Sequence, residues 1–240
     1  MIIFDELKHA ESIIKNGYRN KKYVNFDNII LVKYWRYKGL NESEIRKSLK
    51  TFMVDYQYLF NRNILDYKIN RAIKYGMRYD LVTGVKVSIT DKEIDLINTL
   101  DNIRLRKMMF IMLVVWKFKG MPNNFWIDNK DLQKLSEERM HNDTFWDCIH
   151  KIVKADMIAM VMGAKNRSFY KINLKTGGDP IIEISDFENP IYYYLNLFEP
   201  EKFIECEKCG VLIKLTIHNR KYCKDCARKV NIKQTINRNI

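Results

Sequence analysis

Two pairs of cysteines near the carboxyl end constrain this chain more than any other feature. Cys206-Glu207-Lys208-Cys209-Gly210 and Cys223-Lys224-Asp225-Cys226 are C-x-x-C pairs with thirteen residues between them. Two intervening residues let a tight turn aim both sulfurs at one point, and a glycine after the second cysteine relieves the strain of that turn. Four thiolates brought together suit a tetrahedral cation, and Zn²⁺ is the ion expected. A disulfide pair is the first alternative, disfavoured in a reducing compartment; an iron tetrathiolate site is the second. Four thiolates complete the shell and leave no open position, so the expected ion is structural. His218 is a spare candidate ligand, and Cys148 stands alone on a helical face, where a buried inert thiol is expected.

Between the pairs, Val211, Ile213, Leu215 and Ile217 alternate in a way that predicts a hairpin, and Ala227, Arg228, Lys229 and Val230 predict a basic helix after Cys223. Knuckle, hairpin and helix together resemble treble-clef and zinc-ribbon fingers over residues 204–231. A module with so little core is expected to fold on metal binding. Its cations Lys208, Lys214, Arg220, Lys221, Lys224, Arg228 and Lys229 are then candidates for phosphate contact. Fingers of this kind also bind proteins.

Charge is the second constraint. The net charge is +13, a field that attracts polyanions. The distribution is uneven: residues 1–90 carry +8 and residues 91–175 carry +4, whereas residues 176–205 carry −6 and residues 206–240 carry +7. The acidic stretch is expected either to pack against a basic neighbour or to keep nucleic acid off one face. Hydrophobic residues make up 47% of the chain, which excludes wholesale disorder. Nine glycines and four prolines give few breaks, which favours a mainly helical protein. The fold class expected is mainly α with small β elements (α+β). The organisation expected is a helical domain over 1–80, a second unit over 91–175, an acidic strand-helix connector over 176–205, and a cysteine finger with a basic tail over 206–240.

Residues 1–80 predict four helices. Phe4, Leu7, Ile13 and Ile14 mark the first, stopped by Gly17. Ile30, Leu31, Tyr34 and Trp35 mark the second, followed by Gly39. Asn41 with Glu44 reads as a capping box for the third, whose stripe is Ile45, Leu49, Phe52 and Met53. The fourth runs from Ile64 to Tyr75. Val85, Val87 and Ile89 predict a short strand or extended linker.

Residues 91–175 predict helices followed by a β-hairpin. The apolar run Met108 to Trp116 reads as a buried helix, since nine residues fall short of the roughly 20 a membrane span requires. Helices follow over 128–139, capped by Asp128 or Asn129, and over 143–154, capped by Asn142 or Asp143. Apolar stretches at 157–162 and 168–174 flank the basic turn Gly163-Ala164-Lys165-Asn166-Arg167. This order resembles a winged helix-turn-helix. The resemblance implies a recognition helix over about 143–154, anchored by Phe145, Ile149, Ile152 and Val153. Thr144, Asp147, His150, Lys151 and Lys154 would point outward, and Lys165, Asn166 and Arg167 would sit at the wing tip. Of these, Thr144, His150, Lys151, Lys154, Lys165, Asn166, Arg167, Arg220, Lys221, Arg228 and Lys229 are the nucleic-acid-contacting candidates.

Residues 180–198 add a strand (Ile181, Ile182, Ile184) and an aromatic helix (Tyr192, Tyr193, Tyr194, Phe198), the latter expected in the core. Lys38-Gly39-Leu40-Asn41-Glu42-Ser43-Glu44-Ile45 resembles a helix-turn-helix corner, and also the small helical domain that follows the catalytic part of some phage and plasmid primases. No P-loop or H-E-x-x-H is present; Asp55, Asp66 and Asp80 are the carboxylates that could share a nuclease site. The start, Met1-Ile2-Ile3-Phe4-Asp5-Glu6, lacks a basic n-region, so a cytoplasmic chain, in a bacterium or a phage-infected host, is expected.

The whole pattern resembles phage or plasmid replication or regulatory proteins. It implies a non-enzymatic protein with DNA, or RNA, as partner, no membrane, and a structural Zn²⁺. The alternative is an interaction factor that grips a host or replisome protein. Oligomeric state is not readable.

Overall fold

The computed structural model describes residues 2–18, 20–56, 61–162, 168–174, 177–215, 221–224, 226–228 and 230; for Arg62, Met162 and Ser168 it describes the backbone alone. The protein is mainly helical, with small antiparallel strand pairs, as its sparse glycine and proline content implies. It divides into two compact units, one over Ile3–Val85 and one that joins residues 1–2 to the chain from Lys86 onward.

The first unit is built from α1 (Glu6–Asn16), α2 (Val24–Tyr37), α3 (Glu42–Tyr56) and α4 (Arg62–Gly76). Helix α2 starts at Val24, six residues before Ile30, the first residue of its predicted stripe, and a 3₁₀ turn over Lys21–Tyr23 runs directly into it. Helix α3 carries the capping box read from sequence: the Glu44 amide donates to Asn41 Oδ1 (3.1 Å), and the Asn41 amide donates to the Glu44 carboxylate (2.9 Å). The predicted stripe Ile45, Leu49, Phe52 and Met53 is buried, and it meets Ile30, Leu31 and Val32 of α2 and Leu65, Ile69 and Ile73 of α4.

A buried ion pair closes this unit. Lys33 Nζ lies 2.8 and 3.0 Å from the two carboxylate oxygens of Glu6, and both side chains are about nine-tenths buried. The same carboxylate accepts the Val82 amide (2.8 Å), and the Glu6 amide donates to Val82 O (2.8 Å). Every polar atom of the pair is therefore used, the condition under which a buried pair is tolerated.

The second unit surrounds one helix. β1 (Val87–Thr90) leads into α5 (Asp91–Asn98), then α6 (Ile103–Phe118), α7 (Asn129–Leu135) and α8 (Asn142–Lys154). β2 (Ile158–Met162) and β3 (Ser168–Ile172) form an antiparallel pair. β4 (Pro180–Ile184) returns to pair antiparallel with β1, joining Val87 to Ile184 and Ile89 to Ile182. α9 (Ile191–Asn196), β5 (Phe203–Glu205) and β6 (Leu212–Lys214) complete the described elements. From Met108 to Val115 every side chain of α6 is at most 1% exposed. Helices α5, α7, α8 and α9 and strand β1 pack around it. No helix among the described residues is long and apolar enough to cross a membrane.

Some local expectations shift. Helix α7 stops at Leu135 rather than near Arg139, and Asp128 caps it by accepting the Lys130 amide (2.9 Å). Helix α8 takes His141 as its N-cap, without a side-chain hydrogen bond, rather than Asn142 or Asp143. In the aromatic helix α9, Tyr194 is fully buried against Phe110 and Phe198, whereas Tyr192 and Tyr193 are half-buried.

Gly76 lies at a close approach of α4 to α2. A Cβ built there would lie 2.5 Å from the Val32 Cβ and 3.0 Å from the Ile29 carbonyl oxygen. Alanine is a better helix former than glycine by about 1 kcal/mol, but forcing the helices apart costs about 1–3 kcal/mol. Gly76→Ala is expected to lower the stability of this unit despite the propensity gain. A urea unfolding curve with an unchanged or raised midpoint would contradict the close packing.

Candidate metal centre and adjoining basic surface

The first C-x-x-C pair sits on the turn between β5 and β6, which pair through Phe203–Lys214, Ile204–Ile213 and Glu205–Leu212. This described hairpin straddles the first cysteine pair; the hairpin expected between the two pairs runs through residues 216–220, outside the described residues. Leu212 and Ile213 are the buried residues of β6, and Val211 and Leu215 are only half-buried. Ile217 and His218 lie outside the described residues. The knuckle closes through the Cys206 amide to Val211 O (2.8 Å) and the Gly210 amide to Cys206 O (2.8 Å). Gly210 takes a φ of +69°, the left-handed conformation that glycine adopts at least cost.

The second pair is delivered by a helical turn. Backbone from Lys224 is helical where described, and the Ala227 amide donates to Cys223 O (2.8 Å). The Cys223 amide reaches Cys206 Sγ (3.3 Å), and the Cys226 amide reaches Cys223 Sγ (3.4 Å). Amides directed at sulfur favour thiolate over thiol.

All four sulfurs lie within 4.8 Å of one another, and the cysteines are free thiols. Cys209 Sγ and Cys223 Sγ are 3.8 Å apart. A tetrahedron with metal–sulfur bonds of about 2.3 Å has sulfur–sulfur edges of about 3.8 Å, whereas a disulfide needs about 2.05 Å. The spacing fits one shared metal ion. Among the described residues this is the one group of His, Cys, Asp and Glu side chains close enough to share an ion. Asp55, Asp66 and Asp80 form no such group, and Asp80 pairs instead with Arg36.

The sulfurs also conflict electrostatically. Burial pushes the Cys206 thiol up, but the amides of Cys223, Lys208 and Cys209 outweigh it and bring it down to about 6. Burial pushes Cys209 up to about 12, against the Val211 amide and with the help of the neighbouring sulfurs. Cys226 is likewise pushed up, first by burial. Four sulfurs this close suit a shared cation at their centre.

The cysteine module is anchored by contacts that no sequence motif signals. The Tyr192 ring of α9 packs on Phe203 (5.4 Å between centroids), and its hydroxyl donates to the Glu137 carboxylate (2.9 Å). Lys214 of β6 approaches the same carboxylate (3.7 Å). Glu137 has a φ of +54°, just past the end of α7, where glycine is the usual occupant. A non-glycine residue held in that region marks a place where surrounding contacts fix the backbone.

Of the phosphate-contact candidates, Thr144, His150, Lys151 and Lys154 are exposed along one side of α8, opposite buried Phe145, Cys148, Ile149 and Ile152. Val153, expected among the anchors, is half-buried. Lys151 is engaged with Asp147 (2.9 Å). Burial pushes the Cys148 thiol up, in keeping with an inert core position. Lys165, Asn166, Arg167, Arg220 and Lys229 lie outside the described residues. Lys208, Lys224 and Arg228 are exposed, and Lys221 is exposed beside Glu207 (3.3 Å). A cleft of about 760 Å³ beside α7 is lined by Lys130, Gln133, Lys134, Glu137, Glu138 and Arg139. Arg104 (3.1 Å) and Lys107 (2.8 Å) already neutralise Glu138, so the cleft has a cationic bias.

Comparisons of the chain with protein-family models, curated proteins and solved structures find no match.

Cys209→Ser is expected to abolish stoichiometric metal binding and unfold the cysteine module, while α6 and its jacket stay folded. Elemental analysis of the purified variant checks the first outcome and circular dichroism the second. Retained metal would contradict the ligand set.

Proposed function

We propose that this chain is a DNA-binding protein of a bacterial mobile element or phage, acting in replication initiation or transcription control. In this reading Cys206, Cys209, Cys223 and Cys226 hold Zn²⁺ as a structural ion. An all-thiolate tetrahedral set is the donor chemistry zinc prefers, and it leaves no position for substrate or water.

One observation carries the DNA reading. In the second unit, α6, α7 and α8 are followed by the β2–β3 hairpin, and Phe125 in the α6–α7 connection bridges to Tyr170 of β3. The Phe125 amide donates to Tyr170 O (2.9 Å), and the Tyr170 amide donates to Phe125 O (2.8 Å). Helix, helix, helix and a hairpin, with a single β-bridge tying the hairpin back to the connection between the first two helices, matches the order of a winged helix-turn-helix. Helix α8 then occupies the recognition position. Its outward side presents Thr144, His150, Lys151 and Lys154, and Lys130, Lys134 and Arg139 line a separate cationic cleft on and after α7. The sequence adds the candidate contacts Lys165, Asn166 and Arg167 between β2 and β3, and Arg220, Lys221, Arg228 and Lys229 in the cysteine module. The net +13 of the chain supports a polyanionic partner.

The test is a salt-dependent gel shift on duplex DNA. Binding is expected to weaken as salt rises, and each cation lost from a phosphate contact flattens the log–log slope by about 0.9. Lys154→Glu and the paired reversal Lys165→Glu/Arg167→Glu are expected to weaken affinity and reduce that slope. Absence of any shift at low salt excludes the reading. A single stoichiometric protein partner captured independently of nuclease treatment favours an interaction factor instead.

A further inference from the structure

Helix α4, in the unit that the duplex reading leaves unused, carries an aromatic and cationic stripe. From Tyr67 to Tyr79 the chain has three tyrosines and four cations, Lys68, Arg71, Lys74 and Arg78, and no carboxylate. Tyr67, Arg71, Lys74 and Tyr75 fall at the i, i+4, i+7 and i+8 positions of one helical face. All four are exposed, and Tyr67 is 64% exposed. With Asn70 they line a shallow cleft of about 480 Å³. Just past the helix, Tyr79 is 52% exposed and lies under the Arg78 guanidinium at 5.3 Å.

A tyrosine this exposed gains nothing from the core, whose contacts come from the opposite side of the helix through Leu65, Ile69, Ala72 and Ile73. Among the described residues, neither Arg71 nor Lys74 is held in an ion pair. Flat rings alternating with unpaired cations are what a flexible polyanion with stackable faces requires. The cations follow the phosphates and the rings take the bases, in a manner tolerant of sequence. Tyr67 and Tyr75 stand about 12 Å apart along the helix axis, so one strand can stack on both. A duplex keeps its bases stacked internally and offers no free faces to such rings.

We propose that the α4 face binds single-stranded DNA. Choosing DNA over RNA rests on the duplex-DNA reading of the other unit; the stacking and charge argument rests on α4 alone.

The test uses the full chain, fluorescent oligo(dT) and an anisotropy titration at low salt, with a duplex probe in parallel. Tyr67→Ala and Tyr75→Ala are each expected to weaken oligo(dT) binding about tenfold, the loss of one stacked base. Tyr67→Phe keeps the ring and is expected to restore binding. Arg71→Ala/Lys74→Ala is expected to lower the salt dependence of oligo(dT) binding. Duplex binding is expected to be unchanged in all four variants, so failure of the duplex reading shows on the parallel probe and failure of this proposal on the oligo(dT). Unchanged thermal unfolding confirms that the exposed positions carry no folding role. Equal oligo(dT) affinity in wild type and Tyr67→Ala/Tyr75→Ala overturns the proposal, as does no binding by the wild type. Tighter capture of oligo(rU) than of oligo(dT) overturns the assignment to DNA.

Discussion

A helix that is apolar on all sides has no stable place in water, and α6 is such a helix. Its run from Met108 to Val115 has no solvent-facing edge, so the chain must supply neighbours on every side. That demand explains why α5, α7, α8, α9 and β1 converge on it, and why β4 returns across more than ninety residues to pair with β1. Polar groups enter only at its ends. Lys117 emerges there to meet buried Glu93 (2.6 Å) and Ser88 O (2.8 Å), and Arg104 and Lys107 take Glu138 at the other end. The charged ends fix the rotation of the helix; the apolar middle fixes its burial.

The cysteine module depends on that arrangement through α9. One side of α9 gives Tyr194 to the α6 core, where it stacks on Phe110, and another gives Tyr192 to Phe203 of the cysteine hairpin. The acidic connector thus contributes rings as well as charge. The sulfurs themselves are held by backbone amides and by the short β5–β6 pair, so their convergence is partly built into the polypeptide.

Much of this was legible where local chemistry decides the outcome. The C-x-x-C spacing identified the four sulfurs. The Asn41–Glu44 box and the stripe Ile45, Leu49, Phe52 and Met53 identified α3, and the hairpin strands were placed within a residue or two. What was not legible involves residues far apart. The β1–β4 pair needs partners ninety residues distant. The Phe125–Tyr170 bridge is two hydrogen bonds with no composition signal. A helix from Asp91 to Leu100 was legible, and α5 occupies Asp91–Asn98; its Thr90–Glu93 capping box was not read, because Thr90 also ends the alternating strand pattern before it. Alternation over Val211–Ile217 implies one buried face, whereas the described strand is three residues long and buries two consecutive side chains, Leu212 and Ile213.

The Glu6–Lys33–Val82 cluster has an architectural consequence. It brings the first helix of the unit over Ile3–Val85 within hydrogen-bonding distance of its last residues. Entry and exit of the chain therefore coincide, as in units that tolerate relocation of their termini or insertion into a host loop. The four-helix unit has the geometry of an interchangeable cassette, its first and last segments tied side by side.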